Sequence, residues 1–371
     1  MRGFALLSVF ACTASTLAIA GGWETGTLNS SILFEEGNRV EISSGNLTYD
    51  VRGSASVVST ASPSTVLLPG QKHKMAKDQT RTSLSVKFDV GSFDIGIYRY
   101  DSGAIQLDGT NSTVTTVTAS GDVDLSALAL MVKRDLDNGL SVGVGVRENS
   151  LKSGGTVSTL AGVTYTLGSA RETGMVGSLA YSIPDIALRA ELVLEGQVNM
   201  PLDVTLSNGV PVSGTLKVPN TTTLNFQTGI AKDTLLYASI RSAAWNSNQV
   251  VVDAAVDALD ISSDFDDSTT YSIGVGRKLS DNLSASVSYT SESGGGSTTT
   301  SGFTLRDGYN TFGLGLKYTM ENLDISVGYS QTAAGDVTAS IPNPTDTSQT
   351  LKTVYKNNRV YALGFKVGFN F

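Results

Sequence analysis

The sequence predicts an all-β protein: a transmembrane antiparallel β-barrel of about fourteen strands with a short N-terminal plug in its lumen. Three observations point there. Apolar and polar residues alternate with a period of two from residue 38 onward, and helical spacing does not recur. Short connections take turns with long ones. The final stretch, "RVYALGFKVGFNF", is the cleanest amphipathic strand of all, although chain ends ordinarily fray.

Composition narrows the classes. The 371 residues include 39 Gly, 8 Pro and 16% charged side chains, fewer charges than the roughly one quarter of a soluble protein. A net charge of -8 at pH 7 argues against nucleic acid as a partner, since no basic stripe is available to neutralise phosphates. At the N-terminus Arg2 precedes an apolar run, and Ala18 and Ala20 precede Gly21, the pattern of a secretory signal peptide over residues 1–20. The one cysteine, Cys12, falls inside it, which leaves the mature chain without a disulfide. No later apolar run is long enough for a transmembrane helix. An exported chain of this kind is either a free β-protein or an outer-membrane barrel.

Residues 21–37 read as the plug and 38–371 as the barrel. Strands are expected near 39–51, 80–90, 92–101, 121–133, 140–148, 174–183, 186–198, 222–230, 235–245, 270–279, 283–291, 309–320, 323–331 and 359–371. In the second, Leu84, Val86, Phe88 and Val90 alternate with Ser83, Ser85, Lys87 and Asp89. In the fifth, Leu140, Val142, Val144 and Val146 alternate with Ser141, Gly143, Gly145 and Arg147. The seventh sets Ile186, Leu188, Ala190, Leu192 and Leu194 against Arg189, Glu191 and Glu195. The last sets Tyr361, Leu363, Phe365, Val367, Phe369 and Phe371 against Ala362, Gly364, Lys366, Gly368 and Asn370. The short turns are "DLDNG", "PD", "AKDT", "SDN" and "EN"; the long connections are rich in Ser, Thr, Gly and Asp. Short periplasmic turns and long external loops are the pattern of an outer-membrane barrel. A soluble sandwich also alternates but lacks that rhythm.

An amphipathic last strand follows from closure. An open sheet edge in hydrocarbon leaves backbone N–H and C=O groups unpaired, so the last strand must pair with the first. The first strand carries an irregularity: Val40 and Ile42 share one parity, Leu47, Tyr49 and Val51 the other, with "SSG" between. That predicts a β-bulge.

In this order, "YSIPDIALRAELVLEGQV", "VPNTTTLNFQTGIAKDTLLYASIRSAAW", "YNTFGLGLKYTMENLDISVGYS" and "NNRVYALGFKVGFNF", with "GNRVEISSGNLTYDVRGSA" at the start, the chain resembles the long-chain fatty acid transporter (FadL) family of outer-membrane proteins. The resemblance implies a fourteen-stranded barrel plugged by its N-terminal segment. It also implies passive uptake of fatty acids or other hydrophobic molecules, which leave sideways through the wall near a kinked early strand. The plug departs from the family in lacking its Asn-Pro-Ala stretch, for "GGWETGTLNSSILFEEG" has no proline.

Candidate site residues fall into three groups. "LSALALMV" and "TLLYASI" are apolar on both faces, so Leu128, Leu130, Leu236 and Ile240 are candidates for an alkyl pocket, provided Ala127, Ala129 and Met131 face lipid. The alternative has such inward residues packing against Leu28, Ile32, Leu33 and Phe34 of the plug. A carboxylate needs a cation, and the inward-facing ones are Arg81, Lys87, Arg147, Arg189, Lys317 and Lys366. Arg147 lies in a segment similar to the family's arginine-bearing region and could bind a carboxylate bidentately, or pair with Glu191 or Glu195 of a nearby strand. Two external loops hold Leu160, Val163 and Tyr165, and Leu202, Val204 and Leu206, which form either the capture groove that the resemblance implies or strand extensions packed on one another.

The acidic stretch with Asp253, Asp257, Asp260, Asp264, Asp266 and Asp267 has no EF-hand spacing and reads as a solvated loop. One histidine, His73, in "GQKHKMAK" and no mature cysteine give catalysis too few ingredients, so neither an enzyme, a cofactor nor a metal is expected. The expected partners are outer-membrane lipid and lipopolysaccharide, a hydrophobic small-molecule ligand, and the barrel-assembly machinery, which would read the strand ending in Phe371. A non-transporting surface or adhesion protein and a polar-solute porin remain as alternatives.

Overall fold

The computed structural model describes residues 26–69, 72–109, 120–158, 163–247, 251–253, 261–343 and 346–371. Fourteen antiparallel strands form a closed ring. In chain order they are β1 (Arg39–Asp50), β2 (Gln79–Val90), β3 (Phe93–Leu107), β4 (Ser120–Asp135), β5 (Leu140–Leu151), β6 (Ala170–Ile183) and β7 (Leu188–Glu195). They continue as β8 (Thr221–Ala231), β9 (Thr234–Ala243), β10 (Ser268–Lys278), β11 (Leu283–Glu292), β12 (Tyr309–Met320), β13 (Leu323–Ala334) and β14 (Arg359–Asn370). Every expected strand is present. The third runs on to Leu107, and the seventh is shorter than its sequence pattern, ending at Glu195.

The seam closes along its whole length. β1 pairs with β14 from Arg39 opposite Asn370 to Asp50 opposite Arg359. The Phe371 backbone N–H donates to the Asn38 carbonyl at 3.1 Å, and its ring meets Phe88 edge-on, centroids 6.3 Å apart. The terminal strand is therefore held on both sides. At the opposite extreme of loop length, Asn138 and Gly139 take positive φ values (63° and 80°) in the turn between β4 and β5. That left-handed backbone is what a tight antiparallel reversal requires, and Asn and Gly reach it with least strain.

Side-chain direction follows the pleat. On β14, Leu363, Phe365 and Phe369 are exposed; on β12, Phe312, Leu314 and Leu316 are; on β5, Val142, Val144 and Val146 are. Large apolar groups thus face outward all round the ring, the side that a bilayer covers.

At the end with long connections, the chain builds a cap. Beyond the top of β4, strands Gly155–Ser158, Thr164–Leu167, Val198–Leu206, Pro211–Val218, Val251–Asp253 and Ile261–Ser262 pair in succession. A second sheet joins Thr298–Thr299, Val337–Pro342, Gln349–Tyr355, Arg52–Ser59 and Val66–Leu68, with Lys72–Lys74 also on Arg52–Ser59. Beneath and between them lies one continuous apolar core containing Leu47, Tyr49, Leu125, Leu151, Tyr165, Met200, Leu216, Trp245, Phe265, Leu305 and Val360.

The expected bulge in β1 is absent. Its registers with β14 and β2 are unbroken. The parity of its apolar residues changes because the environment does: Val40 and Ile42 face outward into lipid, whereas Leu47 and Tyr49 face inward into the cap core. An interruption exists two strands away, where the register of β3 against β4 shifts between Asp101 and Gly103.

Candidate functional site: the lumen

The lumen holds three layers. At the end with short turns is a floor of charges. Arg39, only 2% exposed, pairs with Glu41 at 3.0 Å and Asp324 at 2.8 Å. Lys317 joins Asp324 at 3.1 Å, and Lys366 joins Glu41 at 3.1 Å. Gly368 lies where any Cβ would overlap the Arg39 guanidinium, so the glycine of "KVGF" makes room for it. A second group unites Lys87, Asp94 and Lys133, with both lysines within 2.8 Å of the same carboxylate.

Above the floor sits the plug. Asn29 caps a short 3-10 helix, Ser30–Phe34, by accepting from the Ser31 N–H at 3.1 Å. Leu28, Ile32 and Leu33 are buried against Tyr98, Tyr100, Ala127, Ala129, Met131, Val176 and Val193 of the wall. Phe34 lies between two cations, 4.3 Å from the Arg189 guanidinium and 4.9 Å from the Lys133 ammonium. The Glu35 carbonyl accepts from Lys87. Beside the register shift of β3, Gly26 abuts the Asp101 carbonyl so closely that a side chain would collide with it. The plug therefore reaches the interrupted stretch of β3.

The third layer separates plug from cap. Arg147, 3% exposed, pairs with Glu195 at 2.5 Å and donates to the Gly196 carbonyl at 3.3 Å, where the ladder of β7 ends. Glu195 also accepts from Thr221 at 2.8 Å. Arg81 meets Gln79 and Asp124, the latter at 3.5 Å. Arg306 pairs with Glu292 at 3.2 Å and stacks on Tyr309 at 4.2 Å.

These positions sort the sequence-derived candidates. Leu28, Ile32 and Leu33 are packed in the lumen, with Phe34 partly buried beside them, but against Tyr98, Ala127, Ala129 and Met131 rather than Leu128 and Leu130. All six inward-facing cations do face inward, and five of them hold a carboxylate; Arg189 faces Phe34 and the floor. Arg147 takes the ion pair with Glu195 that was its alternative role. Leu128 and Leu130 are the correction: both are exposed on the outer wall, while Ala127, Ala129 and Met131 point in. The plug decides this, since small alanines leave the room that Ile32 and Leu33 fill. Leu236 and Ile240 share the outward side of β9, with Ile240 exposed and Leu235 buried within. In the outer loops, Tyr165, Leu202, Val204 and Leu206 are buried in the cap core, and Val163 packs against it; Leu160 lies outside the described residues. So do Asp257 and Asp260 of the acidic stretch.

Sequence reasoning missed Arg39, Lys133 and Arg306. For Arg39 the signal was present, because alternation in "RVEI" puts Arg39 and Glu41 opposite the lipid-facing Val40 and Ile42. Arg306 stands in a connection without periodicity, and nothing local marks it.

No protein-family profile and no curated protein matches the sequence. Solved structures do match the fold. A Pseudomonas aeruginosa FadL homologue superposes with a TM-score of 0.77 over 92% of each chain at 12% identity. The Pseudomonas putida toluene transporter TodX gives 0.60 at 14% identity, over 95% of this chain and 96% of its own. The Ralstonia pickettii toluene transporter TbuX gives 0.58 at 12% identity, over 96% and 97%. A closed ring with an apolar exterior, a lumenal N-terminal segment and a capped mouth defines an outer-membrane β-barrel of the plugged type. Its fold is that of the FadL family of outer-membrane channels.

Proposed function

We propose that this chain is a channel for passive uptake of hydrophobic compounds across the outer membrane, with long-chain fatty acids as its passengers. The observation that carries the reading is the filled bore. A polar-solute porin needs a continuous watery lumen, whereas here an apolar plug layer and an apolar cap core, with a layer of ion pairs between them, occupy the axis. Such a bore favours solutes that gain from apolar surroundings, at about 0.8 kcal/mol per buried CH₂. The buried cations Arg147, Arg81 and Arg306 and the plug-facing Arg189 give a carboxylate somewhere to go once the pairs that hold them rearrange. The solved relatives named as toluene transporters support the wider class of hydrophobic passengers. Outer-membrane lipid and lipopolysaccharide would surround the apolar wall, and the assembly machinery would read the strand ending in Phe371.

The test is uptake by cells lacking the gene, with and without the restored protein. Labelled oleate uptake should rise on restoration, and small-sugar permeation into liposomes containing the protein should stay at background. Sugar permeation without oleate uptake overturns the reading; toluene uptake without oleate uptake leaves the channel and removes the fatty acid.

A further inference from the structure

We infer that the side of the lumen away from the plug is a blind binding chamber for a small neutral polyhydroxylated molecule, a sugar or polyol, with the Tyr237 ring as its platform. This binding is separate from the uptake proposed above, and either can fail without the other.

The plug leans on one side of the ring. Its Leu28, Ile32 and Leu33 pack on β3, β4, β6 and β7, where the inward residues Tyr98, Ala129, Met131 and Val176 are at most 2% exposed. On the other side, one inward row is nearly free of side chains. Gly276 stands opposite Ser286, Ser286 opposite Gly315, Gly315 opposite Gly328, Gly328 opposite Gly364 and Gly364 opposite Gly45. The row crosses β10 to β14 and β1, about 24 Å of wall at roughly 4.8 Å between strands. A Cβ on Gly45 would come no nearer than 3.7 Å to any group across from it. Ser286, Gly364 and Gly45 are half-buried although they face inward, so the space before them lies inside the barrel.

The groups around that row say what fits it. A side chain on Gly274 would collide with the Tyr237 ring, which therefore lies across that glycine along the wall. Its Oη donates to the Val287 carbonyl at 3.4 Å, which fixes the ring. One aromatic face is left to the bore, and the C–H face of a sugar ring stacks on such a surface. Hydroxyls surround it: Ser272 meets Thr290 at 2.9 Å, and Thr311 meets Thr332 at 2.7 Å. Each can both donate and accept, as the hydroxyls of a polyol do. Below the glycines, Ser326 is 1% exposed and faces inward between Lys317 and Lys366, and its Oγ has no partner. A buried hydroxyl left in that state calls for one. From Lys278 at the foot of β10 to Glu292 at the head of β11, the inner faces of the two strands carry no charge. An ion finds no counterpart there, and a neutral polyol needs none.

The chamber has one way in. Leu47 and Val360 of the cap core close it above. The pairs Lys317–Asp324 and Lys366–Glu41 close it below, from β12 to β1. At the foot of β10, Lys278 pairs with Asp281 of the adjoining turn instead of crossing the bore, and entry is from that end.

The test is ligand protection of a single thiol in full-length protein held in lipid vesicles. Cys12 lies in the segment read as signal peptide, so an introduced cysteine is read alone. Ser286→Cys should react with a small water-soluble thiol reagent, and Ala129→Cys, under the plug, should not. Glucose or glycerol should slow the Ser286→Cys reaction about ten-fold at ten times its dissociation constant, whereas sodium chloride of equal osmolality should not. Tyr237→Ala should abolish the protection and Tyr237→Phe, which keeps the ring, should retain it. An unreactive Ser286→Cys overturns the chamber. Reaction that neither glucose nor glycerol slows, that salt slows equally, or that Tyr237→Ala leaves protected overturns the polyol site.

Discussion

The wall and the cap are built from the same strands with opposite polarity. On β4, Leu128 and Leu130 face outward in the lower half, while Val123 and Leu125 face inward in the upper half. On β1 the same exchange runs from Val40 and Ile42 to Leu47 and Tyr49. The backbone does nothing unusual at the change, for the register of β1 is continuous. What changes is where water is absent. Beside the bilayer it is absent outside, and above the bilayer it is absent inside, so apolar side chains move from one face to the other as the strand leaves the membrane. A shift of apolar parity along a barrel strand can therefore mark a waterline rather than a bulge.

Three substitutions or titrations probe this division, the largest effect first. Arg147 sits at the boundary between plug and cap, and its partner Glu195 is as buried as it is. Removing one member of a buried pair leaves the other uncompensated, so Arg147→Ala should destabilise the barrel by about 3–5 kcal/mol. Denaturant unfolding of the refolded protein in lipid measures this, and adding Glu195→Gln should recover part of the loss. A single variant as stable as the parent means that water reaches the pair, and that the boundary is not dry.

Leu130 tests the wall. At 45% exposure it faces lipid in the middle of its apolar run, and Leu130→Arg should cost about 2–4 kcal/mol in the bilayer. The same replacement in micelles, which deform around a charge, should cost less. Equal stability in both media contradicts the outward placement.

Asp78 tests the cap and gives the smallest change. The Lys74 ammonium donates to its carboxylate at 2.8 Å and the Tyr49 backbone N–H at 2.9 Å, and these bonds hold its pKa below the ordinary 3.8. A depressed folded-state value means the contribution is fully present above that ordinary value and is lost as the pH falls through the lower one. Protease sensitivity of the connection between β1 and β2 should accordingly rise only below about pH 4. Asp78→Asn should abolish that acid step. The pair is exposed, which keeps the effect slight.

How far the sequence could be read depended on the range of the interaction. Strand positions were legible because the pleat fixes side-chain direction locally, and residues such as Phe365 and Val144 announce a lipid face by themselves. The plug's Ile32 and Leu33 were legible for a different reason: apolar residues in a short segment ahead of the first strand need a partner. The orientation of Leu128 and Leu130 was not, since both faces of that segment are apolar and only the volume of the plug breaks the tie. Arg147 could be placed inward from its parity, but its choice of Glu195 required two strands at a known separation.

By itself the sequence determined a closed barrel of fourteen strands, sealed by its last strand and apolar outside, because a period of two and the ban on open edges in hydrocarbon act residue by residue. The tertiary structure alone decided that the external loops fold into a cap with its own core, that Val66–Leu68 stays uncovered, and that Arg39, Lys87, Arg147, Lys317 and Lys366 in the lumen each hold a carboxylate. Those outcomes depend on which residues meet across the ring and over its mouth. Pairing of that kind is set by the stagger of the strands and the length of the loops, neither of which leaves a period in the chain.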